Sequence, residues 1–185
     1  MMIAYYLSIV ETEEDRNKVL YIYENFHSFM CYTAGQVLKG NTHDIEDAVH
    51  DAMIKLIDNL DIIDFSDKRR AKNLCGIVAK NKAKDRCRLR DNRNLSFEDL
   101  LKEEDKPEND PAEIVIKEDT YEIILKVLRS LDDRYRDVCT LKFIHQLKER
   151  EIALILDLTP KTVSTRIYRE KQLLREALRK ENLHV

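Results

Sequence analysis

Between Glu149 and Leu178 the side chains able to do chemistry are cations and short hydroxyls. At a period of 3.6 residues, Lys161, Ser164, Thr165, Tyr168 and Gln172 share one helical face, with Arg166 and Arg169 on its flanks and Thr162 at its start. Val163, Ile167, Leu174 and Leu178 share the opposite face. Cations neutralise phosphates whatever the base sequence, and short polar groups hydrogen-bond base edges, so the pattern suits nucleic-acid binding. From Thr159 to Lys180 seven bases stand against two acids, a net +5. Catalytic chemistry is not apparent: His27, His43, His50, His145 and His184 pair with no nucleophile or metal-ligand spacing, and no glycine-rich phosphate loop occurs. No enzyme, metal or cofactor is expected.

Such a face needs a helix start and a partner helix. Thr159 is a natural N-cap and Pro160 suits the first helical turn, where its missing N–H costs nothing. Just before them, Ile152, Ala153, Ile155 and Leu156 form an apolar stripe, followed by Leu158 in the turn. Two short helices with opposed apolar and basic faces form a helix-turn-helix, whose second helix enters the major groove. Plain scaffolding with a solvated basic face is the alternative, but cap, turn and both faces agree on the DNA reader.

The rest of the chain of 185 residues is 43% apolar, enough to bury cores, and holds only three Gly and three Pro, which favours helices over sheets. Its formal charge of −3 conceals opposed blocks: −8 over residues 1–65, +8 over 66–94 and −8 over 95–122. Val19, Ile22, Tyr23, Phe26, Phe29 and Met30 predict a long helix from Glu11 to Lys39, ended by Gly40. Ile45, Val49, Met53, Leu56, Ile57 and Leu60 predict a second, with Asp44, Glu46, Asp47, Asp51 and Asp58 on its exposed side. With Ser66 as cap, a basic helix follows from about Asp67 to Arg90, its sparse apolar face made by Leu74, Ile77, Val78 and Leu89. Residues 95–113 have the composition of a linker, with room for a turn of helix at "FEDLLKE", and four more helices are expected over 116–131, 133–145, 149–156 and 160–180. Cys31, Cys75, Cys87 and Cys139 show no metal or disulfide spacing and read as buried thiols. Neither a membrane-length apolar run nor a leader is evident at the start, so a cytoplasmic protein without membrane insertion is expected. The fold class is all-α: two small helical domains, 1–94 and 114–185, joined by an acidic linker, 95–113.

"LDDRYRDVCTLKFIHQLKEREIALILDLTPKTVSTRIYREKQLLREAL" resembles the promoter-reading carboxy-terminal domain of bacterial RNA polymerase sigma factors of the extracytoplasmic-function group in the sigma-70 family. Leu131, Arg136, Val138 and Leu141, then Glu151, Ile152, Ala153 and Leu156, then Thr162, Val163 and Arg166 occupy that pattern. Upstream, "DIEDAVHDAMIKLIDNL" is similar to the family's polymerase-docking helix, and "GIVAKNKAKDRCRLR" to the stretch that recognises and opens the minus 10 element. Departures also show: Leu74 stands where a Trp is common, Gln146 and Asp157 replace turn glycines, Lys148 replaces a Ser or Thr cap, and Ser164 replaces a frequent cation.

The resemblance implies a sigma factor that binds core RNA polymerase and directs it to promoter DNA. Asp44, Glu46, Asp47, His50 and Asp51 would dock on the clamp region. Lys80, Lys82, Lys84, Arg86 and Arg88 would contact minus 10 phosphates, with Asn81 reading an unstacked base and Phe65 the nearest aromatic for stacking. Lys161, Thr162, Ser164, Thr165, Arg166, Tyr168 and Arg169 would read the minus 35 element. An anti-sigma factor is an open further partner. The competing reading is a stand-alone helix-turn-helix regulator, which would work as a dimer on palindromic sites.

Overall fold

The computed structural model describes residues 2–39, 42–94, 128 and 131–169. All regular structure among them is helical: α1 (Met2–Ser8), α2 (Glu13–Leu38), α3 (Thr42–Ile57), a 3-10 turn (Leu60–Ile62), α4 (Lys68–Asn94), α5 (Asp133–Cys139), a π-helical turn (Thr140–Ile144), α6 (Glu149–Ile155) and α7 over residues 160–169. The linker residues 95–113, Gly40, the expected helix over 116–131 apart from Leu128 and Leu131, and the part of the last expected helix beyond residue 169, with Gln172, Leu174 and Leu178, lie outside the described residues.

α2, α3 and α4 pack on one another as a bundle. The long apolar period of α2 is realised as expected: Val19, Ile22, Phe26 and Met30 are buried, facing Val49, Met53 and Leu56 of α3 and Leu74, Cys75 and Val78 of α4. Leu74 is fully enclosed, so a Leu fills the position where the family often has a Trp. Gly76 lets α4 approach α2 closely, because a Cβ there would meet Phe29 Cε1 at 2.7 Å.

Several sequence expectations change. α1 is an added element, to which the sequence pattern assigns no helix; Tyr6 and Val10 bury against α2 and α3. α2 starts later than Glu11, because Thr12 Oγ1 accepts from the N–H of Asp15 and caps it. Asp67, not Ser66, caps α4: its Oδ1 accepts from the N–H groups of Arg69 and Arg70, while Ser66 bonds Asp64. Leu89 is 58% exposed, since α4 has by then run past the bundle. The helix expected over 133–145 ends as an α-helix at Cys139 and continues as a π turn. Cys75 and Cys139 are buried as expected, whereas Cys31 and Cys87 are only half-buried.

The carboxy-terminal helices form a second small core from Val138, Leu141, Ile152, Ile155, Val163 and Ile167, which is continuous with that of the bundle.

Candidate nucleic-acid interface

α6 and α7 meet as the sequence predicts. Lys148 precedes α6, and its N–H is satisfied by the Glu151 carboxylate at 2.7 Å, so the Glu half of a capping box serves where a hydroxyl cap is missing. α6 ends in a Schellman turn: Leu158 N–H donates to Ala153 O at 3.0 Å, with Asp157 at the left-handed position, φ 51°. Gln146, at φ 58°, does the same before α6. The two positions that lack the family's glycines therefore still adopt the glycine-like backbone, which Asp tolerates better than most residues. Thr159 Oγ1 then accepts from the N–H of Thr162 at 3.1 Å and caps α7.

Along α7, Val163 and Ile167 are buried, and Lys161, Ser164, Thr165, Tyr168 and Arg169 are exposed. Arg166 and Thr162 are half-buried. A cleft of about 300 Å³ opens beside the helix start, lined by Thr159, Lys161, Thr162, Thr165, Arg166, Arg169 and Tyr135. Tyr135 reaches it from α5; in the sequence it is one aromatic in a charged run, with no spacing to mark it. Ser164 Oγ is engaged, donating its proton to the Glu149 carboxylate of α6, with Pro160 O at 3.0 Å as a competing acceptor for the same proton. Thr165 Oγ1 donates back to Lys161 O at 2.8 Å.

On α4 several of the cations already have partners. Arg86 forks between two carboxylates of α3, Nη1 to Asp47 at 2.9 Å and Nη2 to Asp51 at 2.8 Å, and its buried Nε finds no partner among the described residues. Lys82 Nζ lies 2.6 Å from Asp157, whose other oxygen takes Lys55 Nζ at 2.5 Å. Asn81 Nδ2 donates to Leu156 O at 3.3 Å, and Lys80 Nζ is 3.9 Å from Asp137. Lys84 is half-buried, and Arg88 is exposed near Asp85 at 3.8 Å. Burial works against charge on Asp157, yet the hydrogen bonds from Lys55 and Lys82 outweigh it and hold the carboxyl below the usual range. Beside these contacts His145 Nε2 lies 3.0 Å from Asn73 Oδ1, and burial pushes the imidazole down to about 4. Phe65 stands edge-on to Tyr21 in the bundle, at 6.1 Å between ring centres.

On α3, Glu46 is exposed and Asp44 half-buried. His50 turns toward α1, its Nδ1 3.0 Å from Tyr6 Oη. Burial lifts the Tyr6 phenol to about 12, so the phenol keeps its proton beside that nitrogen.

Two family models match the chain, "Sigma-70 region 2" over residues 22–101 and "Sigma-70, region 4" over residues 121–174. The ECF RNA polymerase sigma factor SigW of Bacillus subtilis (strain 168) is 30% identical over 166 residues, covering 85% of this chain and 86% of its own. The chain is a sigma factor of the extracytoplasmic-function group. Sigma factors are non-enzymatic initiation factors, and this sigma factor directs transcription initiation at promoters; the stand-alone regulator is not favoured. Its family binds core RNA polymerase and promoter DNA. No helix among the described residues is long and apolar enough to cross a membrane.

Proposed function

We propose that this sigma factor docks on the clamp of core polymerase through α3, with Asp44, Glu46, Asp47 and Asp51 supplying charge and His50 bracing α1 behind them. Exposed ion pairs contribute only about 0–1 kcal/mol each, so apolar rim contacts must supply the rest. The minus 10 element lies along α4, with Lys80, Lys82, Lys84, Arg86 and Arg88 at phosphates and Asn81 at a base edge. α7 reads the minus 35 element with Lys161, Thr162, Ser164, Thr165, Arg166, Tyr168 and Arg169. The division is 1–94 for docking and minus 10 recognition, 95–113 for the linker and 114–185 for minus 35 recognition. The protein acts in the cytoplasm, with an anti-sigma factor as a further partner.

The observation that carries this reading is α7 itself: a capped helix with Val163 and Ile167 buried and Lys161, Thr165, Tyr168 and Arg169 presented outward beside a cationic cleft. Purified chain should co-elute with core enzyme from its host in low salt and direct transcription from a cognate promoter. Glu46→Lys, on the exposed side of α3, should weaken co-elution while circular dichroism stays unchanged. Asp47→Lys and Asp51→Lys are poorer tests, since each would set a cation against Arg86. Failure of the wild-type chain to co-elute without any inhibitor present would sink the reading.

A further inference from the structure

α1 lies ahead of every motif that carries the family likeness. From Met2 to Val10 the chain has no charged residue, although residues 1–65 together carry a net −8. The inner side of α1 packs on α2 and α3, with Tyr6 and Val10 buried and Ile3 and Leu7 half-buried. Its outer side is apolar as well: Met2, Tyr5 and Ile9, three and four residues apart, are 46%, 51% and 42% exposed. A surface helix normally turns polar side chains to water, and a helix that is apolar on both sides is one covered on both sides. This outer patch is continuous with α3. The Tyr5 ring stands 5.7 Å from the ring of His50, and the Tyr6 ring stacks on the same imidazole at 5.6 Å. His50 in turn sits in sequence between Asp47 and Asp51, among the acids of the polymerase-docking helix.

We propose that the outer side of α1, centred on Tyr5, is the apolar part of the polymerase-docking surface, so that the clamp of core enzyme covers Met2, Tyr5 and Ile9 together with the acids of α3. The proposal rests on the docking of α3 on the clamp. Exposed ion pairs supply little affinity, so a dock built on Glu46 and its neighbours needs an apolar component within the same footprint, and α1 is an uncharged surface held against α3. Tyrosine suits that place, because its ring buries a large apolar area with few torsions to fix while its hydroxyl stays at the wet rim. His50 joins the two parts: bonded to the Tyr6 hydroxyl and flanked by the Tyr5 ring, its imidazole fixes α1 against α3. The complementary surface of the clamp is then basic opposite α3 and apolar opposite Tyr5. A second copy of this chain fits the patch less well, since it would bring the same acids face to face.

The test uses the full chain and core polymerase from its host, with wild type, Tyr5→Ala, Ile9→Ala, Glu46→Lys and Tyr32→Ala. Tyr32 of α2 is as exposed as Tyr5, at 51%, and controls for the loss of any surface aromatic. Fluorescence anisotropy of labelled chain gives the affinity for core enzyme over a range of salt concentrations, while thermal melting and light scattering follow the free chain. Tyr5→Ala should bind about tenfold and Ile9→Ala about threefold more weakly than wild type, both with the salt dependence of wild type, because the lost contact is apolar. Glu46→Lys should bind more weakly with a flatter salt dependence, and Tyr32→Ala should match wild type. If Tyr5→Ala melts well below wild type, Ile9→Ala, which keeps the Tyr5 ring on His50, decides. Wild-type affinity in both α1 variants alongside a weakened Glu46→Lys overturns this proposal and leaves docking through α3 standing. Wild-type affinity in Glu46→Lys, or a wild-type chain that does not bind, overturns the docking reading and this proposal with it. Equal losses in Tyr5→Ala and Tyr32→Ala also overturn it. So does a fall in the molar mass of free Tyr5→Ala, which gives the face to a second copy, or a lowered melting temperature at unchanged affinity, which gives it to the chain's own residues.

Discussion

His145 sits at the junction between the bundle and the carboxy-terminal helices, and its ionisation should be legible in stability. Burial is the largest reason that its imidazole titrates at about 4 and not 6.5, with Arg70 adding to the effect and Asp67 and Asp64 opposing it. The folded chain therefore resists a proton that the unfolded chain accepts. Between pH 6.5 and 4 the unfolded state binds more protons, so stability rises with pH across that window and is lost as pH falls through it. Moving a titration midpoint by one pH unit corresponds to about 1.4 kcal/mol, which caps the effect at about 3 kcal/mol; His145 is partly exposed, and discounting for solvent screening leaves about 1–2 kcal/mol. Urea unfolding at pH 5 to 7, compared with His145→Gln, measures it. His27 is also lowered by burial and has the same sign, so the difference between wild type and variant, not the raw slope, isolates His145. That difference should shrink by about 1 kcal/mol from pH 7 to pH 5. An NMR titration placing His145 at or above 6.5 in the folded chain would refute the reasoning, as would a difference that stays flat with pH.

The two helical glycines should answer alanine with opposite signs. Gly35→Ala meets only Ile45 Cδ1 at 3.4 Å and should raise stability by about 0.5–1 kcal/mol through helix propensity, whereas Gly76→Ala drives a methyl into the Phe29 ring and should lose about 1–2 kcal/mol despite the same propensity gain; paired thermal melts decide. Arg86→Met removes both bridges to α3 and leaves Asp47 and Asp51 one helical turn apart without their shared cation, a loss of about 1–2 kcal/mol that 1 M NaCl should reduce. Thr159→Ala uncaps α7 and should cost about 1 kcal/mol, read by urea melts, and weaken holoenzyme binding to the minus 35 element, read by footprinting.

Local structure is legible in the order of the residues. The 3.6-residue periods of α2 and α3, the Thr159–Pro160 start of α7 and the two faces of the helix-turn-helix were all legible, because helices are set by side chains three and four residues apart and by caps within one turn. The motif order also carried the family. What it did not disclose was short or distant. α1 is only seven residues long, too short for a period to stand out, and its position depends on Tyr6 reaching His50 forty-four residues on. The cap of α4 fell to Asp67 because one carboxylate could serve two N–H groups, a choice between neighbours that composition does not make.

What the cations face is set by packing between elements far apart in the chain. Read along the chain, Lys80 to Arg88 look like an uncovered basic strip, yet Arg86 belongs to Asp47 and Asp51, and Lys82 and Asn81 belong to a turn seventy-five residues away. Asp157 read as a missing glycine, whereas in space it is a carboxylate between two lysines. Charge acts through distance in three dimensions, and nothing in the spacing of a sequence records which distant oxygen a lysine will meet.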